Sequence, residues 1–294
     1  MRRSSVITIV LLVLVIIGLI VALVITNLPQ KESVDENNVI ENNESLEDEK
    51  QQEEIVEETP TSVSLDSQIV KDMYSLLSGQ TQDIFHYLIK GNLTVDDLSN
   101  EYIQTIAYFN SAKDNVEKFD QIDDELRDGK LEKRYMDEAV KKIFGENVEY
   151  TPTYALVQSN DNARILRYDE NDGVYYEYTG FGGGGDFGSC TAITKVDEYS
   201  DKYVVTEKLV TVRDSYGTYS VFPYYGTDFK FAYSLGSFPK SEIDNVEVTQ
   251  DMYSNNEYNK KFISKYYDEA TEYKHTFMKN EDGTYYWLKT EIVK

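Results

Sequence analysis

Tyr273-Lys274-His275-Thr276-Phe277-Met278-Lys279 runs into Asn280-Glu281-Asp282-Gly283, and the chain resumes as a second apolar-rich run from Thr284 to Val293. Both flanks are dense in aromatic and β-branched residues, and Asp-Gly is a strong tight-turn signal. The stretch predicts an antiparallel hairpin. Working upstream, the same period of two appears in Ala163–Tyr168, in Val174–Tyr178 after the turn Asn171-Asp172-Gly173, in Thr191–Val196, in Tyr203–Val212 and in Phe229–Tyr233. One helix interrupts this series over 256–268, where Tyr258, Phe262 and Tyr266 recur at helical spacing.

Before Val148 the period is that of a helix. Ile69, Val70, Met73, Leu76 and Leu77 share one face of a segment that starts near Asp66 or Ser67 and stops before Gly79. Asp83–Ile89 is short and apolar and fits either a helix or a strand. Thr94-Val95-Asp96-Asp97 reads as an N-cap with acids in the first turn, where the helix dipole favours them. It launches a stripe of Leu98, Tyr102, Ile106 and Phe109. A later helix carries Leu131, Tyr135, Ala139, Val140, Ile143 and Phe144, and Gly145 follows as a natural stop. Helices first and antiparallel strands afterwards predict an α+β fold, with helices packed on a mainly antiparallel twisted sheet. The expected division is a helical part over 63–147 and a β-rich part over 148–294.

The front of the chain has a different character. Met1-Arg2-Arg3-Ser4-Ser5 precedes 23 residues, Val6 to Leu28, without an ionisable group. As a helix they would span roughly 34 Å, enough to cross a hydrocarbon core of about 30 Å. A cleaved signal peptide has a shorter apolar core and a small-x-small site, neither of which is found here. Residues 6–28 are therefore expected to be an uncleaved transmembrane helix. Arg2 and Arg3 place residues 1–5 in the cytoplasm and the C-terminal body outside it. Residues 29–62 hold twelve acids against Lys31 and Lys50, with no sustained apolar stripe. Such a segment buries too little surface to offset its ordering entropy and reads as a disordered acidic stalk.

Charge narrows the partners. The whole chain carries a formal net charge of −24, and residues 63–294 alone carry 41 acids against 25 bases. That balance argues against nucleic acid, which demands basic surface to displace counterions. It argues equally against a patch that grips anionic lipid. Self-repulsion favours a monomeric body. The single cysteine excludes an intrachain disulfide framework, so the body must be held by its core.

Motifs that might carry chemistry each have a plainer reading. Gly180-Phe181-Gly182-Gly183-Gly184-Gly185-Asp186 matches a dinucleotide fingerprint only because any run of glycines does, and strands rather than a helix follow it. Its plainer role is a connection between strands. As a ligand-covering loop it offers Gly182, Gly183, Gly184, Gly185 and Asp186 as candidate binding residues. Cys190 lacks a neighbouring base and reads as a small buried hydrophobe. His86 and His275 have no second histidine at ligand spacing and read as structural. Ser237-Phe238-Pro239-Lys240 matches S-x-x-K, but Pro239 interrupts the required turn and no K-T-G follows. Asp169–Gly173 is too short for a calcium loop and reads as a turn. No cofactor and no metal is expected.

Tyrosine is the one compositional excess, with 25 in the chain. The clusters Tyr175-Tyr176-Tyr178, Tyr224-Tyr225, Tyr266-Tyr267 and Tyr285-Tyr286-Trp287 fit cross-strand packing, or else a sugar- or peptide-binding face. Val95–Leu98 (V-D-D-L), Ile143–Gly145 (I-F-G), the glycine run and Glu281–Tyr286 (E-D-G-T-Y-Y) together resemble a group of single-pass membrane-anchored proteins of low-GC Gram-positive bacteria. The resemblance implies an envelope location and brings no activity or site residues. Two functions are expected: a non-enzymatic module binding an envelope protein or wall polymer, and alternatively a carboxylate-dependent envelope hydrolase using acids such as Asp186, Asp228 or Glu177.

Overall fold

The C-terminal hairpin forms where the Asp-Gly signal places it. In a computed structural model, β12 (Thr271–Lys279) and β13 (Tyr285–Ile292) pair antiparallel, with Tyr273 opposite Ile292 and Lys279 opposite Tyr285. Gly283 takes φ +83°, and the Asp282 carboxylate accepts from the Thr284 backbone N–H at 2.9 Å and from its hydroxyl at 2.6 Å. The structure describes residues 58–77, 92–123, 125–157, 164–179, 187–223 and 233–293, all within one compact unit, 56–294.

Around the hairpin, eight of the described strands make one antiparallel sheet, organised by its longest member, β9 (Lys202–Ser215). One edge of β9 pairs with β8 (Phe187–Glu198). The other edge is shared, with β12 along its first half and β10 (Thr218–Phe222) along its second. β1 (Thr61–Ser62), β2 (Asn92–Thr94) and β11 (Gly236–Pro239) pair at the margins. A second antiparallel sheet has the order β3 (Glu117–Lys118), β4 (Arg127–Glu132), β7 (Val174–Thr179), β6 (Arg164–Asp169), β5 (Tyr154–Val157). The body is thus α+β with antiparallel sheets. Asp169–Gly173 is the β6–β7 turn, closed by Asp169 Oδ1 accepting from Asn171 N at 2.8 Å and by Gly173 at φ +68°.

The larger sheet is buried on both faces. Val205 and Leu209 of β9 enter a core with Phe277, Trp287 and the apolar faces of α1 (Gln68–Leu77), α2 (Asn100–Asn110) and α3 (Lys133–Phe144). Leu131, Leu166 and Tyr175 of the second sheet join the same core. Val210 and Val212, of opposite parity, enter a separate core with Phe238, Phe262 and Ile263. This second core is roofed by the one-turn helix α4 (Lys240–Ile243) and by α5 (Glu257–Lys265). Strand alternation sends successive side chains to opposite faces, so β9 supplies both cores.

Three expectations change. The region 63–147, expected to be mostly helical, holds strands as well, since β2, β3 and β4 lie within it. Leu131 belongs to β4, opposite Tyr175, and the helix begins only at Lys133. Leu131 and Tyr135 stand four apart, which mimics helical spacing, but Gly129 and Leu131 also alternate and pairing with β7 decides. Thr94 caps a 3-10 turn, Val95–Asp97, rather than the α-helix. Its N–H and hydroxyl both donate to Asp97 at 2.7 and 2.9 Å, and those bonds hold the Asp97 carboxyl below its usual range. Ser99 is the N-cap of α2, accepting from Tyr102 N at 3.3 Å, and the buried face holds Ile103, Ile106 and Ala107 while Tyr102 is exposed. The expected strand Phe229–Tyr233 lies outside the described residues except for Tyr233, which is in no strand. Asp83–Ile89 and residues 1–57, with the expected membrane helix, also lie outside them. Among the described residues no helix is long and apolar enough to cross a membrane.

Candidate functional site

An open cleft of about 640 Å³ lies on the second-core side of the larger sheet. Its floor is the start of β8 (Gly188, Ser189, Cys190) and the end of β9 (Val212, Asp214). The β9–β10 turn puts Tyr216 on one rim, and the beginning of α5 puts Asn256, Tyr258 and Asn259 on another. The tip is a two-residue hairpin between the paired Ser215 and Thr218, with Tyr216 at φ +43° and Gly217 at φ +94°. Positive φ at both central residues is the type I′ geometry, which matches strand twist and ordinarily selects asparagine, aspartate or glycine. Tyr216 is fully exposed there.

The rest of the cleft is held firmly. Tyr219 packs edge-on against Phe262, centroids 5.1 Å apart, and the Lys240 ammonium lies 5.3 Å from the Tyr219 ring. Lys240 forms an ion pair with Asp214, and that hydrogen bond raises the lysine above its ordinary range. Tyr258 is half-exposed and donates its hydroxyl to Asp244 Oδ1 at 2.8 Å, which pushes the phenol up. Asn256 caps α5 by accepting from Tyr258 N at 2.9 Å, and Asn259 Nδ2 donates to Tyr74 Oη at 3.3 Å. Tyr74 in turn shares a 2.6 Å hydrogen bond with Ser254, and burial raises its pKa. The cleft is therefore tied through Asn259 to a polar cluster at α1.

The expected site residues fall variously. Gly182, Gly183, Gly184, Gly185 and Asp186 lie outside the described residues, as do Asp228, His86 and Tyr224-Tyr225. Cys190 is in the cleft floor, where burial pushes its thiol up to about 12 and so disfavours the thiolate near neutrality. Glu177 is buried in the second sheet, accepts from Tyr108 Oη at 3.0 Å and pairs with Lys118. His275 is buried in the larger sheet, with Nε2 3.0 Å from Glu207 and Nδ1 2.7 Å from the Thr290 hydroxyl, to which Trp287 Nε1 donates at 2.9 Å. Its role there is to satisfy buried polar groups. Ser237 sits on β11 with its hydroxyl 2.8 Å from that of Ser220, while Lys240 turns to Asp214, so the S-x-x-K match joins no common site. Among the described residues no group of three or more His, Cys, Asp or Glu side chains could hold a metal.

Of the tyrosine clusters, Tyr175 and Trp287 are wholly buried and Tyr266 nearly so. The exposed rings at the cleft, Tyr216 and Tyr258, belong to none of the clusters except that Tyr258 marks a helix face. Ser215-Tyr216-Gly217-Thr218 is the signal that points to them, a glycine-containing break at the end of a long alternating run. No family model, curated protein or solved structure matches the chain.

Proposed function

We propose that the chain is a non-enzymatic binding module at the cell envelope, anchored through residues 6–28, and that the cleft at the β9–β10 turn is its binding surface. The observation that carries this reading is the composition of the rim. Tyrosine rings stand at two of its sides, Asn256 and Asn259 share the rim with Tyr258, and the described charged side chains lining it, Asp214 and Lys240, neutralise each other. Concave sites with aromatic walls and a few placed polar groups are the usual form of a small-ligand or polymer site. The expected stalk ends before 62, since Thr61–Ser62 is β1 of the larger sheet and Glu58 accepts from Ser200 N at 2.7 Å. The residues from 29 to 57 supply the reach to present such a surface away from the bilayer. For the hydrolase alternative, Glu177 gives no support, since its carboxylate is committed to Tyr108 and Lys118 beneath the surface.

The test is photo-crosslinking in intact cells. A photoreactive residue in place of Tyr258 in the full chain is expected to capture an envelope component. The same residue in place of Leu288, exposed on β13 away from the cleft, is expected not to. Identical products from the two positions, or none from Tyr258, would remove the reading.

A further inference from the structure

Resting on the proposal that this cleft binds, we infer that its ligand is an uncharged glycan chain whose sugar rings stack on Tyr216 and Tyr258. Four observations converge on it. The first is the cost of Tyr216. An L-residue with a bulky side chain at φ +43° is unfavourable where asparagine or glycine would fit, and the ring gains no burial in return. Backbone strain held at an exposed tip beside a cleft is the pattern found where a side chain must be presented to a partner.

The second is charge. Asp214 and Lys240 pair with each other, so the described lining offers no lone charge to a carboxylate, phosphate or ammonium ligand. The body's 41 acids against 25 bases add long-range repulsion toward anionic polymers. The third is hydrogen-bonding capacity. Asn256 commits its Oδ1 to the helix cap, which leaves its NH2 as the ligand-side donor. Asn259 commits its Nδ2 to Tyr74, which leaves its Oδ1 as the ligand-side acceptor. Three residues apart, the two amides occupy neighbouring positions at the start of α5. A donor beside an acceptor matches a pair of adjacent hydroxyl groups, each of which both donates and accepts. The fourth is shape. A pyranose has an apolar C–H face to lie on a tyrosine ring and a polar rim to meet amides, and tyrosine combines an apolar body with a polar tip. A cleft of about 640 Å³ accommodates roughly two or three such rings.

The test is calorimetric titration of the full chain, purified in detergent, with a panel of uncharged hexose and N-acetylhexosamine tetrasaccharides and with capped, uncharged tetrapeptides. Binding of at least one saccharide is expected. Tyr216→Asn and Tyr258→Ala are each expected to weaken it roughly tenfold, the loss of one stacking anchor. Tyr216→Asn is also expected to melt at the same temperature as the parent or higher, because the turn prefers the new residue, which separates lost contact from lost fold. Saccharide binding unchanged in both variants would overturn the site. Peptide binding without saccharide binding would overturn the sugar while leaving the cleft as a binding surface. Silence toward both panels, with the Tyr258 crosslink intact, would again overturn only the sugar; silence together with loss of that crosslink would overturn the cleft itself.

Discussion

Tyr216 and His275 are opposite uses of a ring side chain. Tyr216 stands in solvent on strained backbone, so asparagine at that position should raise stability by about 0.5–1 kcal/mol in equilibrium urea unfolding. His275 is wholly enclosed and gives each ring nitrogen a partner, Glu207 on one side and Thr290 on the other. His275→Ala takes a hydrogen bond from both and opens a void between them. A loss of about 3 kcal/mol is expected in the same urea experiment, and a loss below 1 kcal/mol would mean that water replaces the imidazole without penalty. Neither role is visible in the residue itself. A lone histidine looks alike whether it is a ligand or a core group, and Tyr216 is distinguished only by the glycine that follows it.

Elements were legible where one rule acts alone. The terminal hairpin, the β6–β7 turn and the helix stop at Gly145 each rest on a single local signal, and each forms within a residue or two of its expected place. Misreadings fall where two local rules compete. Around Leu131 helical and strand spacing coincide, and only β7, more than forty residues downstream, resolves them. At Thr94–Asn100 two capping residues follow in close succession. Thr94 satisfies a 3-10 turn and Ser99 the helix, so Ser99→Ala should cost the fold about 1 kcal/mol by removing the cap of α2. Thermal denaturation of that variant measures it, and an unchanged midpoint would return the helix start to Thr94. The cleft was the least legible feature. Its residues come from four separate segments, and nothing in any one of them announces the others.

At the scale of the whole molecule, burial makes the body sensitive to alkali. Burial pushes the Cys190 thiol and the Tyr285 phenol up to about 12 and raises Tyr74, Tyr150 and Tyr175 as well. In the unfolded chain these groups ionise near 8.5 for the thiol and about 10 for the phenols. Above those values the unfolded state has released protons that the folded state still holds, so stability falls as pH rises. A decline should therefore set in near pH 9 and steepen toward pH 12, with no contribution from these groups below pH 8. A flat urea midpoint from pH 8 to 11 would contradict it. The same raised thiol assists a test of topology. In Glu47→Cys the new cysteine should react in intact cells with a maleimide that cannot cross membranes, over the negligible background of Cys190. Protection of residue 47 would reverse the proposed orientation.

β9 contributes to both apolar interiors, as does its neighbour β8 through Ile193 and Val196 on one face and Ala192 on the other, and β9 is paired on two edges along most of its length. Opening either interior therefore disturbs a strand that also lines the other. Its amides should consequently be the last in the body to take up deuterium, at a rate set by global unfolding, and the material on its two faces should be lost in one cooperative transition. A ligand that tightens the Tyr216 end of this strand would then slow exchange as far away as Val205, without touching it.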